Sequence, residues 1–217
     1  TFSLELVEVL DRADTFSASQ TQAAIDELKG SASCIDVDDG EYERNARVYL
    51  ALRELAEERN LKAMAISCWP EFQTRYQIKP CSVLGQLNEN NIVAACEGDL
   101  PSALSMLMLN LLNGERSMLM DLSSFDSTDE TVMMWHCGPA APCWADNNIQ
   151  HRKISIGRED LVDYGIGNDL VLKAGPATAM RLTGEGDEVF TFTGEFLKEQ
   201  KKSFHGSRGW MGNIRMN

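Results

Sequence analysis

EYERNARVYLALRELAEERNLKAMAISCWPEF, residues 41–72, is the stretch that sets the fold class. Tyr42, Ala46, Tyr49, Leu52 and Ala56 recur every three or four residues, so they share one face of a helix running from Glu41 to Arg59. Ala63 to Ser67 is too short and too apolar to be another amphipathic helix. Bounded on both sides by helical pattern, it reads as a buried strand of the parallel kind. Helix, strand and turn in this order are half of a doubly wound α/β sheet, in which functional groups gather just past the strand's C-terminal end. Glu71 stands there.

Working outward, the first half keeps the α/β character. Helices are expected over Leu4–Ala13 and Ser19–Leu28, then over Ser82–Leu87 and Pro101–Leu112, with Pro101 suited to a first turn and Gly114 to a stop. After that the texture changes. Eleven of the sixteen glycines follow Cys137, and short runs bounded by Gly, Pro, Asn or Asp appear at 117–122, 131–137, 153–156, 170–174, 178–183 and 189–193. That is the pattern of a mostly antiparallel sheet or small β-barrel. The expected organisation is an α/β segment over 1–114, part of a doubly wound domain, followed by a barrel-like domain over 115–217.

Bulk properties narrow the function classes. The chain has 217 residues, 43% apolar and 24% charged, enough for a real core. A formal net charge of -13 repels phosphate backbones and anionic lipid, so nucleic acid and membrane partners are not expected. The greasiest run, Leu100 to Leu112, is too short to span a bilayer, and no signal peptide is visible, so a cytoplasmic location is expected. The chain starts at Thr1 rather than Met, as a piece of something longer would. Six cysteines without a CxxC spacing read as buried free thiols rather than disulfide staples.

Four segments carry chemistry-bearing residues. In Ser67–Phe72, Glu71 sits between Trp69 and Phe72, where a cation would hold it ionised; the alternative is a first-turn acid after Pro70. In Ala94–Pro101, Glu97 and Asp99 flank Gly98 ahead of a long helix, and Asp99 is equally readable as that helix's N-cap. In Met134–Pro139, His136 ends an apolar strand. Imidazole and carboxylates together suit Mn²⁺, Mg²⁺ or Co²⁺; a Cys137–His136 nucleophile is disfavoured, because strand neighbours point to opposite faces. In Phe204–Trp210, His205 is a second candidate ligand, and Trp210 either stacks on a sugar or packs inside. The methionine-rich stretch reads as core.

Three phrases in sequence, CWPEF (68–72), AACEGDLPSAL (94–104) and WHCGPAAP (135–142), resemble L-fucose isomerase and its relatives, including L-arabinose isomerases. The resemblance covers most of the chain and is densest from Ala63 to Gly114. It implies a metal-dependent aldose–ketose isomerase working through a cis-enediol, with Mn²⁺ or a similar ion held by Glu71, Asp99 and His136. Glu71 and Asp99 would also shuttle the proton. Trp69, Glu97, Trp135 and Trp210 would face a small sugar. Family members are longer and oligomeric, so this chain is expected to be the C-terminal part of such an enzyme, acting in a homo-oligomer. The alternative is a non-catalytic sugar-binding or assembly module of the same fold.

Overall fold

The computed structural model describes residues 3–30, 32–34, 36–152, 165–184 and 186–216. Its first part is helical. Helices α1 (Leu6–Ala13), α2 (Ala18–Lys29) and α3 (Asp39–Glu58) pack together, separated by a two-residue strand β1 (Ser33–Cys34). Two capping boxes set the helix starts. Ser17 and Gln20 close α2, and Asp38 and Glu41 close α3, with the Asp38 carboxylate accepting the Glu41 N–H at 2.8 Å. The predicted face of α3 is the buried one: Tyr42, Ala46, Tyr49, Leu52 and Ala56 are all inside.

Strand β2 (Ala63–Ala65) leads to the short helix α4 (Glu71–Tyr76), then α5 (Cys81–Glu89), and returns as β3 (Val93–Ala95). The strands β2 and β3 pair in parallel, Met64 opposite Ala94, which is the expected α/β unit. This sheet is two strands wide, so a doubly wound sheet is not seen among the described residues. Helix α6 (Leu100–Asn113) follows and ends on Gly114 in the left-handed conformation.

The remainder is a sheet: β4 (Asp121–Asp126), β5 (Thr131–His136), a 3₁₀ turn (Pro142–Trp144), β6 (Ala145–Arg152), β7 (Gly167–Leu172), β8 (Gly175–Thr183), β9 (Glu188–Phe196) and β10 (Ser207–Met216). Eight strands join in the path β1-β6-β7-β10-β5-β4, with β9 also paired to β10 and β8 to β9. The pairing is mostly antiparallel, as expected, but no closed barrel is seen among the described residues. The path ends openly at β1 and β4.

The run at 117–122 begins pairing only at Asp121, because α6 claims its first residue. Asn110 accepts the Ser117 N–H at 2.8 Å, and the Ser117 hydroxyl donates to the Met106 carbonyl at 3.0 Å. The expected strand at 153–156 lies outside the described residues. No described helix is long and apolar enough to cross a membrane.

The two parts are laced together. Strand β1 adds to the edge of β6, Ser33 opposite Gln150. Ser82 in α5 donates its N–H to the Ile166 carbonyl at 2.8 Å, and Gly165 donates its N–H to Glu41 at 3.1 Å. Gly85 on α5 lies so close to β7 that a Cβ there would come within 2.5 Å of the Asn168 amide.

Candidate functional site

Where strands β2, β3 and β5 end, the segments after them meet. They enclose a pocket of about 420 Å³ lined by Cys68 and Trp69, Glu97, and Trp135 to Cys137, with Lys79, Cys81 and Asp121 among the remaining walls. The sheet's geometry explains the gathering. Parallel β2 and β3 deliver their following residues to the same end, and β5 brings its last residue, His136, to that end from the larger sheet. The backbone turns sharply after β3: Glu97 (φ 61°) and Gly98 (φ 68°) are both left-handed. That conformation is uncommon for a glutamate and marks a position the surroundings enforce.

The tryptophans form the pocket's rim and side. Trp69 is half-exposed. Trp135 is fixed by its Nε1–H donating to the His205 carbonyl at 2.9 Å and by the edge of Phe204. Gly206 makes this close approach possible (φ 130°), since a Cβ there would fall 2.4 Å from the His136 carbonyl oxygen.

His136 is buried to 1% exposure. Its Nδ1 accepts the Cys137 backbone N–H at 2.9 Å and lies 3.2 Å from the Cys137 sulfur, while Nε2 is buried with no partner. Burial alone would lower the pKa of the ring. The Cys137 sulfur, and the negative charges of Asp121 and Glu97, outweigh it and push the pKa up to about 9. Four thiols lie behind: Cys81 is 3.4 Å from Cys137, and Cys96 donates to Cys68 at 3.0 Å. Contacts from Cys81 and Cys96, with His136 beside it, hold Cys137 well below the usual thiol range; the same contacts and burial push Cys81 and Cys96 up.

The expected ligands are dispersed. Asp99 is the N-cap of α6: Oδ1 accepts the Ser102 N–H at 2.9 Å, and Oδ2 accepts from the Ser102 hydroxyl at 2.8 Å and from Arg181 at 2.7 Å. Burial would raise its pKa, but Arg181 and Ser102 bring it below the ordinary carboxylate value. Glu71 is exposed in the first turn of α4 and does not line the pocket. Among the described residues, the one group of His, Cys, Asp or Glu donors lying within 4.8 Å of one another is Cys96, His136 and Cys137. Among the described residues, the donor atoms of Glu71, Asp99 and His136 thus do not all lie within 4.8 Å of one another.

His205 also lies outside the pocket. Its exposed ring pairs at 2.8 Å with Asp169, a buried carboxylate that Arg152 and Arg208 also hold. Trp210 is buried in β10 beneath the Lys201 ammonium, 4.8 Å from the ring centroid. Of the expected substrate-facing residues, Trp69, Glu97 and Trp135 share the pocket and Trp210 does not.

The sequence reading missed Lys79, Cys81, Cys96 and Asp121. A signal for the thiols was present, since Cys96 and Cys137 each directly follow a strand. A larger depression of about 780 Å³ between α6, β8 and β9 is lined by Glu115, Glu195 and three arginines, with no His, Cys or Asp on its walls.

No protein-family model matches the chain. It is 31% identical over 198 residues to a sulfoquinovose isomerase of Alkalicoccus urumqiensis, covering 90% of this chain and 44% of that protein. A sulfoquinovose isomerase of Clostridium sp. (strain MSTE9) is 40% identical over 95 residues, 44% of this chain and 21% of that protein. One of Priestia aryabhattai is 33% identical over 140 residues, 63% and 31% respectively. The chain spans less than half the length of the curated relatives it matches.

Proposed function

We propose that this chain carries the proton-transfer pocket of an aldose–ketose sugar isomerase whose substrate is a sulfonated hexose of the sulfoquinovose type. The observation that carries the reading is the buried, partnerless Nε2 of His136 in a pocket that also holds two carboxylates, Glu97 and Asp121. With Nδ1 accepting the Cys137 N–H, the ring proton sits on Nε2; if the ring is protonated, Nε2 still carries one. Either way a buried donor lacks an acceptor, and a substrate oxygen supplies it. The names of the relatives give the substrate class.

The reaction needs little else. A base removes the proton from C2 and returns it to C1, while one proton moves between the oxygens on those carbons. Glu97, fixed by its left-handed backbone, and Asp121, at the start of β4, are the candidate bases. His136 faces the oxygen on which enediolate charge develops, in a site where fixed donors act strongly. Trp69 and Trp135 offer flat apolar surface to a sugar's C–H face.

The test is incubation of the protein with sulfoquinovose in D₂O, followed by NMR. Deuterium at C2 of recovered aldose and formation of ketose are expected. Glu97→Gln or Asp121→Asn should slow exchange by about 10²-fold or more. Absence of both sugar binding and exchange in the folded protein would overturn the reading, as would exchange indifferent to both substitutions.

A further inference from the structure

The isomerase reading uses the pocket's carboxylates and imidazole and leaves the thiols unexplained. Four of the chain's six cysteines converge there from four separate segments: Cys68 after β2, Cys81 opening α5, Cys96 after β3 and Cys137 after β5. Each is described as a free thiol. Packing alone does not ask for sulfur at all four positions, and S–H···S contacts are weak hydrogen bonds.

We infer that Cys96, Cys137 and His136 form a binding site for one soft metal ion, Zn²⁺ by preference, with its fourth position facing the pocket. Three observations support the site. The donor atoms of these three residues lie within 4.8 Å of one another. A tetrahedral zinc with Zn–S bonds of about 2.3 Å holds its sulfurs about 3.8 Å apart, so the donors need close by only about 1 Å. The imidazole has a buried nitrogen without a partner. Cys137 and His136 also line a pocket open to solvent, which gives the ion a path in.

Sulfur-rich donors select zinc or cuprous copper over manganese or magnesium. Binding displaces the thiol protons. Cys81 and Cys68, each touching one of the two sulfur ligands, stand where a fourth protein ligand could be recruited when no exogenous ligand fills the open position. Zinc on His136 would take up the imidazole that the isomerase reading aims at a substrate oxygen, so the zinc-bound and sugar-bound forms of the pocket exclude one another.

The test uses the full chain, reduced and stripped of metal. Zinc titration against a competing chelator should show one equivalent bound. Cobalt substitution should give thiolate-to-metal charge transfer and tetrahedral ligand-field bands. Zinc should protect Cys137, but not Cys143, from alkylation mapped by mass spectrometry.

Cys137→Ser and His136→Asn should each weaken zinc by at least about 100-fold, and Cys143→Ser should not. Because Cys96 is fully buried, its part is read from the thiolate-to-cobalt charge transfer of the parent rather than from a Cys96 variant. Absence of stoichiometric binding, cobalt spectra without sulfur ligation, or equal alkylation of Cys137 with and without zinc would each overturn the site.

Discussion

His151 sits in β6 with 2% of its surface exposed, its Nδ1 hydrogen-bonded with the Tyr42 hydroxyl at 2.7 Å. Burial brings its pKa down to about 4, against an ordinary value near 6.5. The folded state therefore binds fewer protons than the unfolded chain between these values, and stability rises with pH across that window. We expect roughly 3 kcal/mol of stability to be lost as pH falls from 7 to 4. Thermal melts across this range measure it. His151→Gln, which keeps an acceptor for Tyr42, should flatten the dependence; an equally steep curve in that variant would assign the acid sensitivity elsewhere. Nothing in the local sequence NNIQHRK announced this residue. Its environment is made by a tyrosine 109 positions away.

Among the elements, α6 shows how one acidic residue supports two readings. The phrase EGD before an apolar run is equally a ligand motif and a helix cap, and the geometry gives Asp99 the cap and a bond to Arg181 on β8. Asp99→Asn keeps a capping oxygen and should leave stability within about 0.5 kcal/mol, whereas Asp99→Ala should cost about 1 kcal/mol. Chemical denaturation of both variants measures this. If Asp99→Asn instead abolished isomerisation in a stable protein, Asp99 would have a role beyond the cap.

The same helix shows what hydropathy alone cannot resolve. Leu100, Leu104, Met108, Leu111 and Leu112 are exposed, while the buried positions are Ser102, Ala103, Ser105 and Met106. Close packing of α6 favours small side chains inward, so the greasier face is the outer one. By contrast, α3 was legible to within two residues, expected over Glu41–Arg59 and found over Asp39–Glu58, because its apolar face is regular; the capping box at Asp38 and Glu41 moves its start earlier. The strands were legible as runs but not in extent. The missed β6 reads ADNNIQHR, too polar to signal a strand, and its place is set by the partner strand β7.

For the molecule as a whole, the glycine-rich change of texture near Gly114 was plain in the sequence, while the lacing across it was not. The contacts include a two-residue strand, one α5 amide, the Asp99–Arg181 pair and a glutamate bonded at a separation of 124 residues. A protease site placed between Gly114 and Glu115 tests how far the parts are separate. The cleaved halves should co-elute on gel filtration and part only in denaturant; elution as two independent species would show that each stands alone. The pocket was half legible for a related reason. Its tryptophans, Glu97 and His136 stand in short distinctive phrases, but only the three-dimensional arrangement brings Cys81, Cys96 and Asp121 to them.

Strand β10 lies between β7 and β5 and also pairs with β9, so a segment near the end of the chain holds the middle of the sheet. Ser207 pairs with His136 itself, and Gly206 backs Trp135. During synthesis the helices, β2 and β3 leave the ribosome before β10 and can fold as they emerge. The pocket has to wait, because its sheet-side wall β5, paired until then with β4 alone, gains its second neighbour only when residues 207–211 have cleared the exit tunnel. A ribosome stalled short of that point carries a nascent chain with the thiols and carboxylates already made and no place yet in which to work.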